Sequence, residues 1–189
     1  MSQQELLSKV IRALEGAGIE YMITGSIASS LHGEPRATHD IDLVVRMGPA
    51  AVAPLLAAFA PPEFFVEAAA VRSAVESRGM FNVVEAAEGD KVDFWLLTDS
   101  AFDRSRFSRR YREEVFGLGI YVPTPEDTIL AKLQWAKMSG GSEKHVMDAL
   151  RVYEVQAGTL DVEYLDLWAG NLSVADLWVR ILHEAEPES

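Results

Sequence analysis

The sequence predicts an α/β (α+β) chain that ends in helices, and three observations carry that reading. Helical and strand periodicities alternate from the N-terminus to about Val122. Two alternating segments, MFNVVEA (80–86) and KVDFWLL (91–97), flank a Glu88-Gly89-Asp90 turn and read as a β-hairpin. From Pro125 onward the pattern is helical throughout. The chain therefore divides into an α/β core, residues 1–122, and a C-terminal helical region, residues 123–189.

Each element follows from local chemistry. Ser2 and Glu5 have the spacing of a capping box, and Leu6, Leu7, Val10, Ile11 and Leu14 then repeat as a helix does. Gly16 and Gly18 stop that helix. Glu20–Thr24 reads as a short strand, Gly25-Ser26 as the turn out of it, and SIASSL as a short helix. A loop with Gly33 and Pro35 leads to a second strand, Asp40–Arg46. Pro49, at a tolerated first-turn position, opens a helix to about Phe59, and Pro61-Pro62 breaks the chain. A short strand at 64–66, a helix at 68–77 and the hairpin follow. EEVFGLGIYVPT holds two more short strands in this reading. The final helices are placed at 125–138, 143–155, 161–169 and 173–184.

Composition narrows the chemistry. The 189 residues include no cysteine, so disulfides, zinc–thiolate sites and thiol catalysis are excluded. The N-terminus lacks a basic, apolar signal, and the longest uncharged apolar run, 50–62, is too short for a bilayer and holds three prolines. A soluble, cytoplasmic protein with no membrane partner is the expectation. A net charge of −12 disfavours tight nonspecific binding to DNA or RNA. A local basic segment does occur, with Arg104, Arg106, Arg109, Arg110 and Arg112; these do not fall on one helical stripe and read first as a solvated segment.

Asp40 and Asp42 stand where an apolar strand begins. Alternation puts both on one face, with Ile41 and Leu43 on the other. Two adjacent carboxylates repel unless something positive lies between them, and a divalent metal is the natural partner. Asp93, on the second hairpin arm, is a third acid. If that arm pairs beside 40–45, the three converge as the ligand set of a two-metal site. Gly25 lets backbone approach a phosphate, and the region of Ser26 offers amides at a helix N-terminus. Taken singly, these features are ordinary: a D-x-D pair usually marks a strand end meeting water. Their order carries the inference of a nucleoside triphosphate site.

That order resembles the DNA polymerase β-type nucleotidyltransferase superfamily, on Gly25-Ser26, Asp40-x-Asp42 and Asp93. ITGSIASSLHGEPRATHDIDLVV (23–45) is similar to small bacterial members related to AbiEii-type toxins. The resemblance covers 18–97 well and the helical tail loosely. It implies the nucleotidyltransferase fold, a small mixed β-sheet flanked by helices. It also implies a Mg2+- or Mn2+-dependent enzyme that moves a nucleoside monophosphate from an NTP to a hydroxyl and releases pyrophosphate. Asp40 and Asp42 would bind both metals, and Asp93 would bind the catalytic one and help deprotonate the acceptor. Gly25 and Ser26 would hold phosphates. Lys132, on the helix after TPED, would support the triphosphate, with Lys137 and Lys144 as rivals and Asp127 and Asp148 as braces.

Other residues keep two readings at this stage. Arg36 clamps a phosphate or faces solvent. His32 and His39 suit local hydrogen bonds better than metal ligation. Trp95 shares a strand face with Asp93 and can line a nucleotide pocket. The acceptor is an RNA 3′ end, a protein or a small molecule such as an antibiotic. The toxin resemblance puts the RNA end slightly ahead, held by the arginine segment and Arg36, and adds an antitoxin as a partner. The competing reading is a non-catalytic interaction module on the same fold. No G-x-G-x-x-G or G-x-x-x-x-G-K-[ST] motif points to another nucleotide-binding class.

Overall fold

Ser2 caps helix α1 (Gln3–Gly16) as its spacing requires: its side chain accepts from the Glu5 amide, and the Glu5 carboxylate accepts from the Ser2 amide at 2.8 Å. The computed structural model describes residues 1–35, 38, 40–115 and 117–186. Their contacts divide the chain into two units: Met1–Thr24 with Thr38–Val122, and Gly25–Ala37 with Pro123–Ser189.

The first unit is built on a five-stranded mixed sheet in the order β1-β2-β5-β4-β3. Its strands are β1 (Glu20–Thr24), β2 (Ile41–Arg46), β3 (Phe64–Phe65), β4 (Met80–Glu85) and β5 (Lys91–Leu96). Pairing is antiparallel except between β2 and β5, which run parallel. Alternation gives the sheet two unlike faces. One carries Tyr21, Ile23, Leu43, Val45, Phe81, Val92 and Phe94, all buried. Buried residues of α1, of α3 (Val52–Ala58) and of α4 (Ala68–Ser77) complete this core. Phe94 is at its centre, stacked on Phe81 at 4.8 Å and edge-on to Phe59 at 6.0 Å. Burying each such side chain contributes about 1.5–3 kcal/mol. The opposite face carries the acids described below. Toward the other end of β2 it is closed by a cluster of Met22, Val44, Leu97 and Phe107, with Trp95 packed against it.

Phe107 belongs to helix α5 (Ala101–Arg109), a helix that the sequence reading passed over. Ser100 caps it, accepting from the Asp103 amide, and Phe102 and Phe107 anchor it. A two-stranded ribbon, β6 (Tyr111–Val115) and β7 (Leu118–Val122), completes the unit.

The hairpin turn between β4 and β5 is held by a buried carboxylate. Glu85 accepts from the amides of Glu88 (2.8 Å) and Ala87 (3.1 Å). These contacts, chiefly the Glu88 amide, hold its carboxyl below the ordinary 4.5 although burial opposes them. A lowered folded value means stability that is present above the ordinary value and lost as pH falls through the lowered one. Glu85→Gln should therefore lower the unfolding midpoint at neutral pH. The gap from the unaltered protein should close as scanning calorimetry moves from about pH 6 to about pH 3. A gap that does not change with pH would show that the amide contacts do not depend on the charge.

The second unit is helical: α2 (Gly25–His32), α6 (Pro125–Met138), α7 (Glu143–Gln156), α8 (Val162–Asn171) and α9 (Ala175–Glu184). The segment 25–35, which a linear division places with the core, makes its contacts here. A Cβ on Gly33 would come within 2.9 Å of the Val152 amide nitrogen, so only glycine lets the end of α2 lie this close to α7. The His32 ring meets the Pro123 carbonyl at 2.8 Å, a hydrogen bond to a residue distant in sequence rather than the local one expected of it. Among the described residues, no helix is long and apolar enough to cross a membrane.

Candidate active site

The pairing on which the three-acid reading depends is present. β5 lies beside β2, and Asp42 and Asp93 are direct register partners. Neighbouring strands are roughly 4.8 Å apart, so two carboxylates in register on one face can share a cation. The row extends to Thr24, opposite Asp42, and to Asn82, opposite Asp93. Asp40 is exposed, just before β2 begins.

Asp93 has an unusual environment. Its side chain is only 13% exposed, and Oδ2 accepts from the Lys91 ammonium at 3.0 Å. The other oxygen, Oδ1, is buried and has no hydrogen-bond partner among the described residues. Leaving a buried carboxylate oxygen bare costs free energy, and such an atom marks a place where a ligand is expected. Lys91 is held above the usual lysine range, first by its hydrogen bond to Asp93 and then by the charges of Asp93, Asp40 and Asp42, against the effect of burial. It is the site residue that the sequence reading missed. The signal was there: Lys91 and Asp93 are two apart on a strand and so share a face.

Whether these residues suit a divalent metal can be judged from the donors. Among the described residues, no group of three or more His, Asp or Glu side chains is gathered as a ready-made metal cage. Magnesium does not need one. It is usually held by one or two carboxylates together with water and substrate phosphates. Hard oxygens in register, one of them bare, fit that requirement.

Of the remaining expected site residues, Gly25, Ser26, Lys132, Asp127 and Asp148 belong to the second unit, and the others fall outside the described residues. Gly25 and Ser26 are the first residues of α2 rather than a separate turn; Gly25 has φ +64°, a left-handed conformation that glycine adopts without strain. Lys132 is buried in α6, where its ammonium pairs with Asp148 of α7 at 2.6 Å. Asp127 is fully buried and accepts from the Tyr164 hydroxyl at 2.7 Å and from Thr124 at 3.1 Å. Arg36 and His39 lie outside the described residues.

The arginine segment is solvated in part: Arg104 and Arg112 are exposed, whereas Arg106, Arg109 and Arg110 are half-buried. Arg106 pairs with Asp103 at 2.8 Å, and its side chain is 13% exposed. Arg110 pairs with Glu20 at 2.7 Å and lies 3.9 Å over the Phe107 ring. The Arg112 guanidinium lies against Gly119. Arg106 and Arg110 are thus committed to partners in their own unit, and a basic surface for RNA built on them is not supported.

No protein-family model matches the chain, and no curated protein matches its sequence. Several solved structures are similar to it. The solution structure of the antibiotic-resistance factor ANT(2'')-Ia has a TM-score of 0.61 at 14% identity, with 96% of each chain covered. An antigenic nucleotidyltransferase-like protein from Paracoccidioides brasiliensis has a TM-score of 0.54 at 17% identity, over 100% of this chain and 97% of that one. The lincosamide antibiotic adenylyltransferase LnuA, in its lincomycin-bound crystal structure, has a TM-score of 0.53 at 12% identity, over 80% of this chain and 96% of that one. The chain therefore has the nucleotidyltransferase fold.

Proposed function

We propose that the protein is a nucleotidyltransferase that moves a nucleoside monophosphate from an NTP to the hydroxyl of a small molecule. One observation carries this reading: Asp42 and Asp93 are in register on parallel strands, and one oxygen of Asp93 is buried and bare. The order of Gly25-Ser26, Asp40-x-Asp42 and Asp93 along the chain supports it.

In this reading Asp40, Asp42 and Asp93 hold Mg2+ or Mn2+. The bound cation supplies positive charge for the triphosphate and the departing pyrophosphate. Gly25 and Ser26 bind phosphate oxygens through backbone amides at the start of α2. Gly25 follows directly on Thr24, the register partner of Asp42. The acceptor oxygen bonds to the α-phosphorus as the bond to the bridging oxygen breaks, and Asp93 takes the hydroxyl proton. Lys132 supports the triphosphate only if its ion pair with Asp148 is given up.

A small acceptor is favoured over the RNA end for two reasons. The chain carries a net charge of −12, and Arg106 and Arg110 have intramolecular partners. The similar structures ANT(2'')-Ia, solved with adenylyl-2''-tobramycin, and LnuA, solved with lincomycin, are of proteins that meet small antibiotics. Incubation with labelled triphosphates, Mg2+ and separate metabolite, RNA and protein fractions tests the choice. Label is expected in the metabolite fraction. Label confined to RNA or protein would move the acceptor. No transfer in any fraction would favour the non-catalytic module, with a toxin–antitoxin partnership as its natural setting.

A further inference from the structure

Lys91 is placed to do more than hold a strand in register. It begins β5, two residues before Asp93 and on the same face, and its ammonium is 3.0 Å from Asp93 Oδ2. Asp40 aligns with it across the parallel pair, because Ile41 is opposite Val92. The charges of Asp93, Asp40 and Asp42 all act on it. Lys91 places one positive charge against Asp93, and in the metal-site reading a divalent cation, with twice that charge, competes for the same carboxylates. The Lys91 side chain is 39% exposed on a flexible stem and can leave, whereas Asp93, 13% exposed, is fixed by the strand.

We infer that Lys91 is a built-in counter-cation that occupies the carboxylate cluster in the metal-free protein and is displaced when a divalent metal binds. This rests on the metal-site reading above and adds a competitor to it. Two consequences follow. The metal-free fold is protected from carboxylate repulsion. Metal binding in turn is weaker than the three acids alone would give, so an occupied site depends on the triphosphate arriving with its own metal and phosphate oxygens.

Mn2+ titration by calorimetry, without nucleotide, tests this on the full chain, on Lys91→Gln and on Arg72→Gln, an exposed arginine of α4. Lys91→Gln should bind Mn2+ about tenfold more tightly than the unaltered protein, because a unit charge at this range is removed. It should also melt at a lower temperature without metal and gain more from its addition. Arg72→Gln should change neither property. Amine labelling of the unaltered protein, read by mass spectrometry at Lys91, should speed up several-fold when Mn2+ is added. Mn2+ binding that Asp42→Asn abolishes but Lys91→Gln leaves unchanged would overturn the displacement and spare the metal site. No Mn2+ binding in either the unaltered protein or Lys91→Gln would overturn both. Labelling of Lys91 that Mn2+ does not alter would overturn the displacement even if Lys91→Gln failed to fold.

Discussion

Asp42→Asn is expected to weaken metal-dependent triphosphate binding by more than about a hundredfold while the fold stays intact. Changes in residues that merely orient a metal ligand cost about 10- to 100-fold, so loss of a ligand's charge should cost at least the upper end. The amide keeps the shape of the carboxylate, and Asp42 is only half-buried on the face away from the aromatic core. Removing one of several like charges also relieves repulsion in the metal-free state, so the melting temperature should hold or rise slightly. Calorimetry with Mn2+ and a non-hydrolysable triphosphate checks both halves. Unchanged binding would remove Asp42 from the site, and with it the reading of the in-register pair.

What the sequence makes legible here is whatever depends on short-range periodicity. Alternation alone puts Asp40 and Asp42 on one face, and cap spacing alone starts α1, where Ser2 does as expected; Thr124 and Asp161, not singled out in the sequence, cap α6 and α8 in the same way. Pairing order is different. Nothing within 40–46 or 91–97 says that these strands lie side by side in parallel, with the hairpin partner β4 on the outer flank. That order follows from long-range packing, and the sequence reading could state the pairing only as a condition. Helix α5 escaped notice because its five-residue spacing from Phe102 to Phe107 and its many arginines mask the periodicity; the Ser100 cap was the available cue. Partner choice was also hidden. Helical spacing cannot reveal that Lys132 of α6 meets Asp148 of α7, or that Arg110 lies on Phe107 and reaches Glu20. Long cationic side chains were read as free because their partners are distant in sequence.

Asp93→Asn should separate binding from chemistry. The variant is expected to keep triphosphate binding through the metal that Asp40 and Asp42 would still hold, yet turn over about 10²- to 10⁴-fold more slowly, the range usual for loss of a general base. The reason lies in its proposed role. In the row Asp42 stands between Thr24 and Asp93, and Asp93 between Asp42 and Asn82. In the proposed reading Asp40 and Asp42 would hold both metals, and Asp93 only the catalytic one, beside the acceptor. An amide oxygen can still accept from Lys91 and still touch a cation, so the fold and the nucleotide site persist. What the amide cannot do is take a proton from the acceptor hydroxyl. The two carboxylate oxygens already differ in that respect: Oδ2 holds Lys91 at 3.0 Å, and Oδ1 is buried and bare. Single-turnover measurement of pyrophosphate release at saturating metal and nucleotide separates the two steps. Near-normal release would take the proton from Asp93 and make Asp90, at the hairpin turn, the next residue to test. Loss of nucleotide binding together with turnover would instead make Asp93 a shared ligand, equivalent to Asp42, and leave the base unassigned.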